Sequence, residues 1–123
     1  MDGNTAPYLQ NAYVRIRSIF RRGGVEADPL AKILISEPAE RILAIKLLQY
    51  AETVPVVLED FRPNILANYL YELANTYHSF YEACPVLKAE PALRASRLLL
   101  SEITARTLSH GLSLLGIRCP EKM

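Results

Sequence analysis

Apolar and polar positions alternate along this chain with the period of a helix, and the pattern is clearest in residues 61–87, FRPNILANYLYELANTYHSFYEACPVL. At 100° per residue, Ile65, Leu66, Ala67, Tyr69, Leu70, Leu73, Ala74, Tyr77, Phe80 and Tyr81 fall on one broad arc. Asn68, Glu72, Asn75, Ser79 and Glu82 share the opposite one. Arg62-Pro63 marks the start, because proline has its φ pre-set for a first helical turn and lacks the N–H that would go unbonded there. Pro85 cannot continue the helix, so it stops near Ala83. Four tyrosines, Tyr69, Tyr71, Tyr77 and Tyr81, make this element unusual. An apolar ring with a hydrophilic tip suits a packed core and also a surface open to a partner, and the pattern leaves both readings standing.

The same period assigns most of the remaining chain. Thr5 is a plausible N-cap with Pro7 just inside a helix over Tyr8 to Arg22, which Gly23-Gly24 ends. Leu9, Ala12, Tyr13, Ile16, Ile19 and Phe20 form its buried arc, with Arg17 and Arg21 on the far side. Residues 25–36 admit either a short helix opened by Asp28-Pro29 or an extended run over Lys32 to Ser36. Ser36 caps a helix from Glu37 to about Tyr50, and a shorter one spans Ala51 to Phe61 with Val54, Val57, Leu58 and Phe61 as its apolar positions. Glu90-Pro91 begins the last helix, which reaches Leu115 before Gly116. Leu93, Leu100, Ile103, Leu108, Leu114 and Leu115 form its main face. Leu98 and Leu112 fall outside it, so neighbours are expected on two sides. No period-2 strand and no repeat interrupts the pattern. The expected fold is all-α, an antiparallel bundle of about five helices in a single domain over residues 1–123.

Composition narrows the chemistry. Half the residues are apolar, ample for one core, yet no run approaches the ~20 apolar residues needed to cross a bilayer. No basic segment followed by an apolar run opens the chain, so a secretion signal is not expected. Cys84 and Cys119 are widely spaced and without metal-ligand partners, which reads as two reduced thiols. A net charge of +1 argues against broad binding to DNA; any nucleic-acid contact has to come from local shape and stacking.

Catalytic chemistry is not visible. Gly23-Gly24 follows a helix instead of opening one, so it is no phosphate loop. His78 and His110 have no ligand-spaced partners, His78 reading as a border imidazole beside Tyr81; no activated serine or cysteine is apparent. One row stands out: Tyr8, Asn11, Arg15 and Arg22 lie along one edge of the first helix at spacings of three, four and seven. Such a row can stack on a base and hold a phosphate, or it can be a solvated helix border.

Three stretches together carry a resemblance: DGNTAPYLQNAYVRIRSIFRRG near the start, LANYLYELANTYHSFYEACPVL in the middle, and ARTLSHGLSLLGIRCPEKM at the end. They resemble the C-terminal anticodon-binding (DALR-type) domain of arginyl-tRNA synthetase, the all-helical domain appended to a class I catalytic core. The resemblance spans essentially the whole chain. It implies a parent enzyme that ligates arginine to its tRNA using ATP, acting in the cytoplasm and away from membranes. HIGH-type and KMSKS-type active-site sequences are absent here, so no catalytic residue, metal or cofactor is expected in this domain. ATP and arginine would belong to the catalytic domain of the parent. The chain is then expected to be a piece of that parent, with Met1 an initiator added at the cut.

By resemblance, the first helix, the late part of the tyrosine-rich helix and the extreme C-terminus converge on the anticodon loop. Carried over by motif, the contact residues are Tyr8 and Ala12 in PYLQNA, Tyr81 in SFYEACPVL, and Met123. Aromatic faces and a flexible thioether can embrace unstacked bases, while a small alanine lets a base approach the helix. At Asn11 the chain departs from similar sequences, which usually carry an aromatic there. Asn11, Arg15 and Arg22 join the set because their row shares a helix edge with two carried-over residues. All six arginine codons have G in the middle, so a domain that reads cytosine at the middle anticodon position serves every isoacceptor. Two alternatives remain: a freestanding helical module that binds tRNA or a protein without a parent enzyme, and an interaction module that binds no RNA.

Overall fold

The tyrosine-rich helix is the post around which the computed structural model, which describes residues 5–120, is built. Five helices appear among the described residues: α1 (Thr5–Gly23), α2 (Pro38–Leu48), α3 (Tyr50–Asp60), α4 (Pro63–Ala83) and α5 (Pro91–Leu114). Helix α4 touches all four others. Its ends are those its prolines dictate, with Pro63 in the first turn and Cys84 N–H closing on the Phe80 carbonyl at 2.9 Å. Leu66, Leu70, Leu73, Tyr77 and Phe80 are buried along it and meet Leu9 and Ile16 of α1, Leu43 of α2, and Leu98, Leu108 and Leu112 of α5 in one core.

Helix directions follow from the contacts. Gln10 reaches the Arg118 carbonyl and Arg17 reaches Glu102, so α1 and α5 run antiparallel. Tyr77 bonds Ser101 while Gly111 faces Leu70, so α4 and α5 are antiparallel as well. It follows that α1 and α4 run the same way, and Tyr8 accordingly meets Asn75 while Gly23 lies against Leu87. Gly111 is where α5 comes closest to α4: a Cβ there would lie 2.7 Å from both Leu70 methyls.

Several local expectations shift. Residues 25–36 form neither helix nor strand. Asp28 Oδ1 accepts from the Leu30 N–H at 2.9 Å in a turn, and the Leu34 N–H is held by Ser96 Oγ at 2.8 Å. The N-cap of α2 is Glu37, not Ser36, because the Glu40 carboxylate turns back to accept from the N–H groups of both, at 2.7 Å and 3.1 Å. Helices α2 and α3 are separated by Gln49 alone, and α3 starts at Tyr50 and carries Pro55 in its interior. Of the apolar positions expected to be buried in α3 only Val57 is; Leu58 and Phe61 are exposed. Phe61 ends the helix in a left-handed conformation (φ 51°, ψ 55°) that turns its ring into solvent, 89% exposed.

Helix α5 is covered on two sides, as expected: Leu100 and Leu108 of its main face are buried, and so are Leu98 and Leu112, whereas Ile103 and Leu114 are exposed. Wedged against α1, α2 and α4, the helix also buries Ser101, Thr104 and Thr107. Each hydroxyl returns its bond to the carbonyl four residues back, at 2.8 Å. Arg17 is not on a free outer face, since its guanidinium grips Glu102 with two 2.9 Å bonds. Gly24 and Gly116 take the positive φ values (61° and 77°) that end α1 and α5.

The deepest charge in the core is Glu40, fully buried, paired with Arg97 at 3.1 Å and 3.3 Å. Arg97 also donates to the Pro85 carbonyl at 2.8 Å, so one side chain ties α2, α5 and the turn after α4 together. Burial pushes the Glu40 carboxyl up, but bonds from Arg97, Glu37 and Ser36 outweigh it and hold the group below the usual carboxylate range.

Candidate functional site

Because α1 and α4 run in the same direction, the edge row of α1 faces the late turns of α4 across a groove of about 770 Å³. Tyr8, Asn11, Ala12, Arg15 and Arg22 line one wall. Ala74, Tyr77, His78 and Tyr81 line the other. Six of the seven residues singled out from the sequence therefore lie on one concavity. The seventh, Met123, lies outside the described residues.

The two ends of the groove differ in chemistry. At the Tyr8 end, the Tyr8 hydroxyl donates to Asn75 Oδ1, and its ring rests against Tyr71 with centroids 5.1 Å apart and planes tilted by 41°. Partial burial pushes the Tyr8 phenol up, Tyr71 adds to this, and Arg15 pulls the other way. The hydroxyl is thus occupied, and what Tyr8 offers is a ring face. Beside it, Asn11 is exposed and presents an amide with both a donor and an acceptor.

At the far end, Tyr77 and Tyr81 stack, with centroids 6.2 Å apart and planes at 23°. Tyr77 is the buried layer, its hydroxyl fixed on Ser101 Oγ at 2.8 Å, and burial pushes its phenol well up against that bond. Tyr81 is the open layer at 37% exposure. One ring face is supported from below and the other is left to the groove. Arg15 and Arg22 are exposed, and among the described residues neither has a carboxylate partner. Among the described residues, no Asp or Glu lines the groove.

A larger cleft, about 1300 Å³, opens on the other side of α1. Two of its cations are already committed: Glu102 binds Arg17 at 2.9 Å and Arg106 at 2.7 Å, and these bonds, Arg17 first, hold the Glu102 carboxyl below its usual range. Size therefore does not pick the site; uncompensated charge beside open aromatic faces does.

Sequence reasoning gave no site role to His78, Tyr71 or Asn75. The signal for His78 was present, since Ala74, His78 and Tyr81 recur at helical spacing along one edge. Asn75 read as polar-face residue, and its bond to Tyr8 spans 67 positions, beyond any local pattern.

A family model described as the DALR anticodon binding domain matches residues 9–123. Among curated proteins, "Arginine--tRNA ligase" of Haemophilus ducreyi is 53% identical over 123 residues, covering 99% of this chain and 22% of that protein. The protein of the same name from Mannheimia succiniciproducens is 55% identical over 124 residues, again 99% of this chain and 22% of its own length. Among solved structures, Thermus thermophilus arginyl-tRNA synthetase superposes with a TM-score of 0.87 at 40% identity, over 99% of this chain and 22% of that one. The arginyl-tRNA synthetase of Plasmodium falciparum gives 0.83 at 31% identity, with the same coverage. The chain thus spans about a fifth of the length of the relatives it matches.

Proposed function

This chain belongs to the family of DALR anticodon binding domains, and on that premise we propose that it binds the anticodon loop of arginine tRNA as one part of an arginine–tRNA ligase. The observation that carries the reading is the groove between the parallel helices α1 and α4. It gathers Tyr8, Asn11, Ala12, Arg15, Arg22 and Tyr81, drawn from chain segments some 60 or more positions apart, on two facing walls. The rest of the longer protein supplies ATP-dependent ligation of arginine, in the cytoplasm.

Each group has a task in that reading. Loop bases leave their own stack and lie on the faces of Tyr8 and Tyr81, a contact that tolerates any base. Ala12, partly buried between them, keeps the wall low enough for a ring to approach. The Asn11 amide matches the Watson–Crick edge of cytosine, its oxygen accepting from the exocyclic amine and its NH₂ donating to N3. Arg15 and Arg22 take backbone phosphates.

Binding of an arginine anticodon stem-loop tests this. Tyr81→Ala removes a stacking face worth roughly 1–3 kcal/mol, so affinity at fixed salt is expected to fall about 5- to 150-fold. Tyr81→Phe keeps most of it. Thermal unfolding of the same variants separates lost stacking from lost fold. A folded Tyr81→Ala variant that binds the stem-loop like the parent would remove the groove from consideration.

A further inference from the structure

Two arginines without carboxylate partners face a groove that contains a third nitrogen base. His78 projects from α4 into the same concavity as Arg15 and Arg22, its side chain 51% exposed. Its Nε2 lies 3.1 Å from Glu82 Oε1, one helical turn on, and the Glu82 side chain is 69% exposed. The titratable and charged groups around this imidazole are Arg15, Arg22 and Tyr8 from α1, and Tyr77, Tyr81 and Glu82 from α4. Glu82 is the single carboxylate bonded to any of the lining side chains among the described residues.

We propose that His78 is a third phosphate-contacting residue of the groove, binding in its protonated form beside Arg15 and Arg22, and that Glu82 occupies the phosphate's place while the groove is empty. The proposal rests on the reading that the groove holds RNA. An exposed pair one turn apart is weak and pays solvent screening, so it yields readily to a better anion. A phosphodiester offers the same negative charge inside the groove that Arg15 and Arg22 line, whereas Glu82 is not among the lining residues. Imidazole is the side chain that gains its proton in the range about pH 8 to about pH 5. RNA that prefers the protonated ring must therefore bind with net proton uptake, and tighten as pH falls.

The experiment is binding of the arginine anticodon stem-loop at constant ionic strength from about pH 8 to about pH 5.5, with the parent domain and two exposed-site variants, His78→Gln and Glu82→Gln. The parent is expected to gain about three- to ten-fold in affinity across the range, the size of one charge-assisted phosphate contact. His78→Gln should lose that gain while matching the parent at the alkaline end. At the acid end, its slope of log K against log salt should be shallower by about 0.7, one phosphate on a single strand. Glu82→Gln should bind about two- to five-fold more tightly than the parent at the acid end, since no carboxylate then competes with the phosphate for the protonated ring. A merely structural His78 would move the unfolding temperature and leave the pH profile intact. If the stem-loop binds and His78→Gln keeps the parent's pH profile, the role given to His78 is wrong and the RNA reading stands. If no variant binds the stem-loop at any pH, the RNA reading fails and takes this one with it.

Discussion

Replacing Arg97 with methionine isolates the energetics of the deepest charge. Glu40 is fully buried, and its carboxylate accepts from two backbone N–H groups and from Arg97 at 3.1 Å and 3.3 Å. Methionine roughly keeps the volume but removes the countercharge and orphans the Pro85 carbonyl, which Arg97 holds at 2.8 Å. Breaking a buried pair by removing one partner costs about 3–5 kcal/mol, against a total stability of about 5–15 kcal/mol for a domain. At roughly 3–6 °C per kcal/mol for a chain of this size, the melting temperature should fall by about 9–30 °C. The pH dependence supplies the stricter test. In the parent the folded-state pKa of Glu40 lies below its unfolded value, so its contribution is present above that unfolded value and fades as pH falls. In Arg97→Met the buried carboxylate lacks its cation and favours the neutral acid, so acid relieves the variant while it weakens the parent. Urea unfolding of both proteins at neutral pH and near pH 4 should therefore show the stability gap closing in acid. Adding Glu40→Gln should recover much of the loss at neutral pH, because the amide oxygen still accepts from the N–H groups of Ser36 and Glu37. A gap below about 1 kcal/mol, or one that stays constant between the two pH values, would refute this account.

Three further outcomes follow from separate features. Phe61→Asn should raise stability by about 0.5–1 kcal/mol in urea melts, because asparagine tolerates the left-handed conformation and a ring 89% exposed forfeits little packing; a loss would mean the ring has a contact that its exposure conceals. Gly111→Ala sets about 1 kcal/mol of helix propensity against a Cβ 2.7 Å from two Leu70 methyls, and overpacking of about 1–3 kcal/mol should win, lowering the urea midpoint; an increase would show that Leu70 swings aside. Burial pushes the Tyr50 phenol up to about 12 and raises those of Tyr69 and Tyr77 as well, so stability present below the unfolded value of about 10 should fall as pH rises above it. Melting temperatures that do not change from pH 9 to pH 11 would contradict that.

What the sequence made legible was whatever depends on near neighbours. The bounds of α4 are visible because Pro63 and Pro85 bracket a clean amphipathic run. The glycine stops after α1 and α5 are visible for the same local reason. The edge row Tyr8, Asn11, Arg15 and Arg22 needs only the 100° step. Errors arose where a distant partner decides. Arg17 reads as solvated until Glu102, 85 positions on, claims it. On α5, Ile103 and Leu114 count with the core face yet are exposed, while Ser101, Thr104 and Thr107, which no apolar count includes, satisfy themselves on their own helix and are buried. Leu58 and Phe61 look like core in a period count, yet α3 leaves them outside and its left-handed end swings Phe61 into solvent. For the site, one wall was legible from the helical step alone, while its pairing with the late turns of α4 was expected only through the resemblance, since nothing local says that α1 and α4 run the same way.

That shared direction has a consequence for how binding and folding are joined. Two parallel neighbours cannot be connected by a tight turn, and here the return path is the whole of α2 and α3 with their loops. Neither α1 nor α4 as a peptide possesses a groove, and the Tyr8–Asn75 contact closes across 67 positions only when the intervening chain is in place. RNA bound in the groove, as proposed, would therefore be a ligand of the native state alone. By mass action it should add about 2.7 kcal/mol to the stability of the fold at a hundred times its dissociation constant. Any lesion that loosens the core at Glu40, remote from the groove, will then register as weaker RNA binding once the folded fraction falls, with every contact in the groove intact.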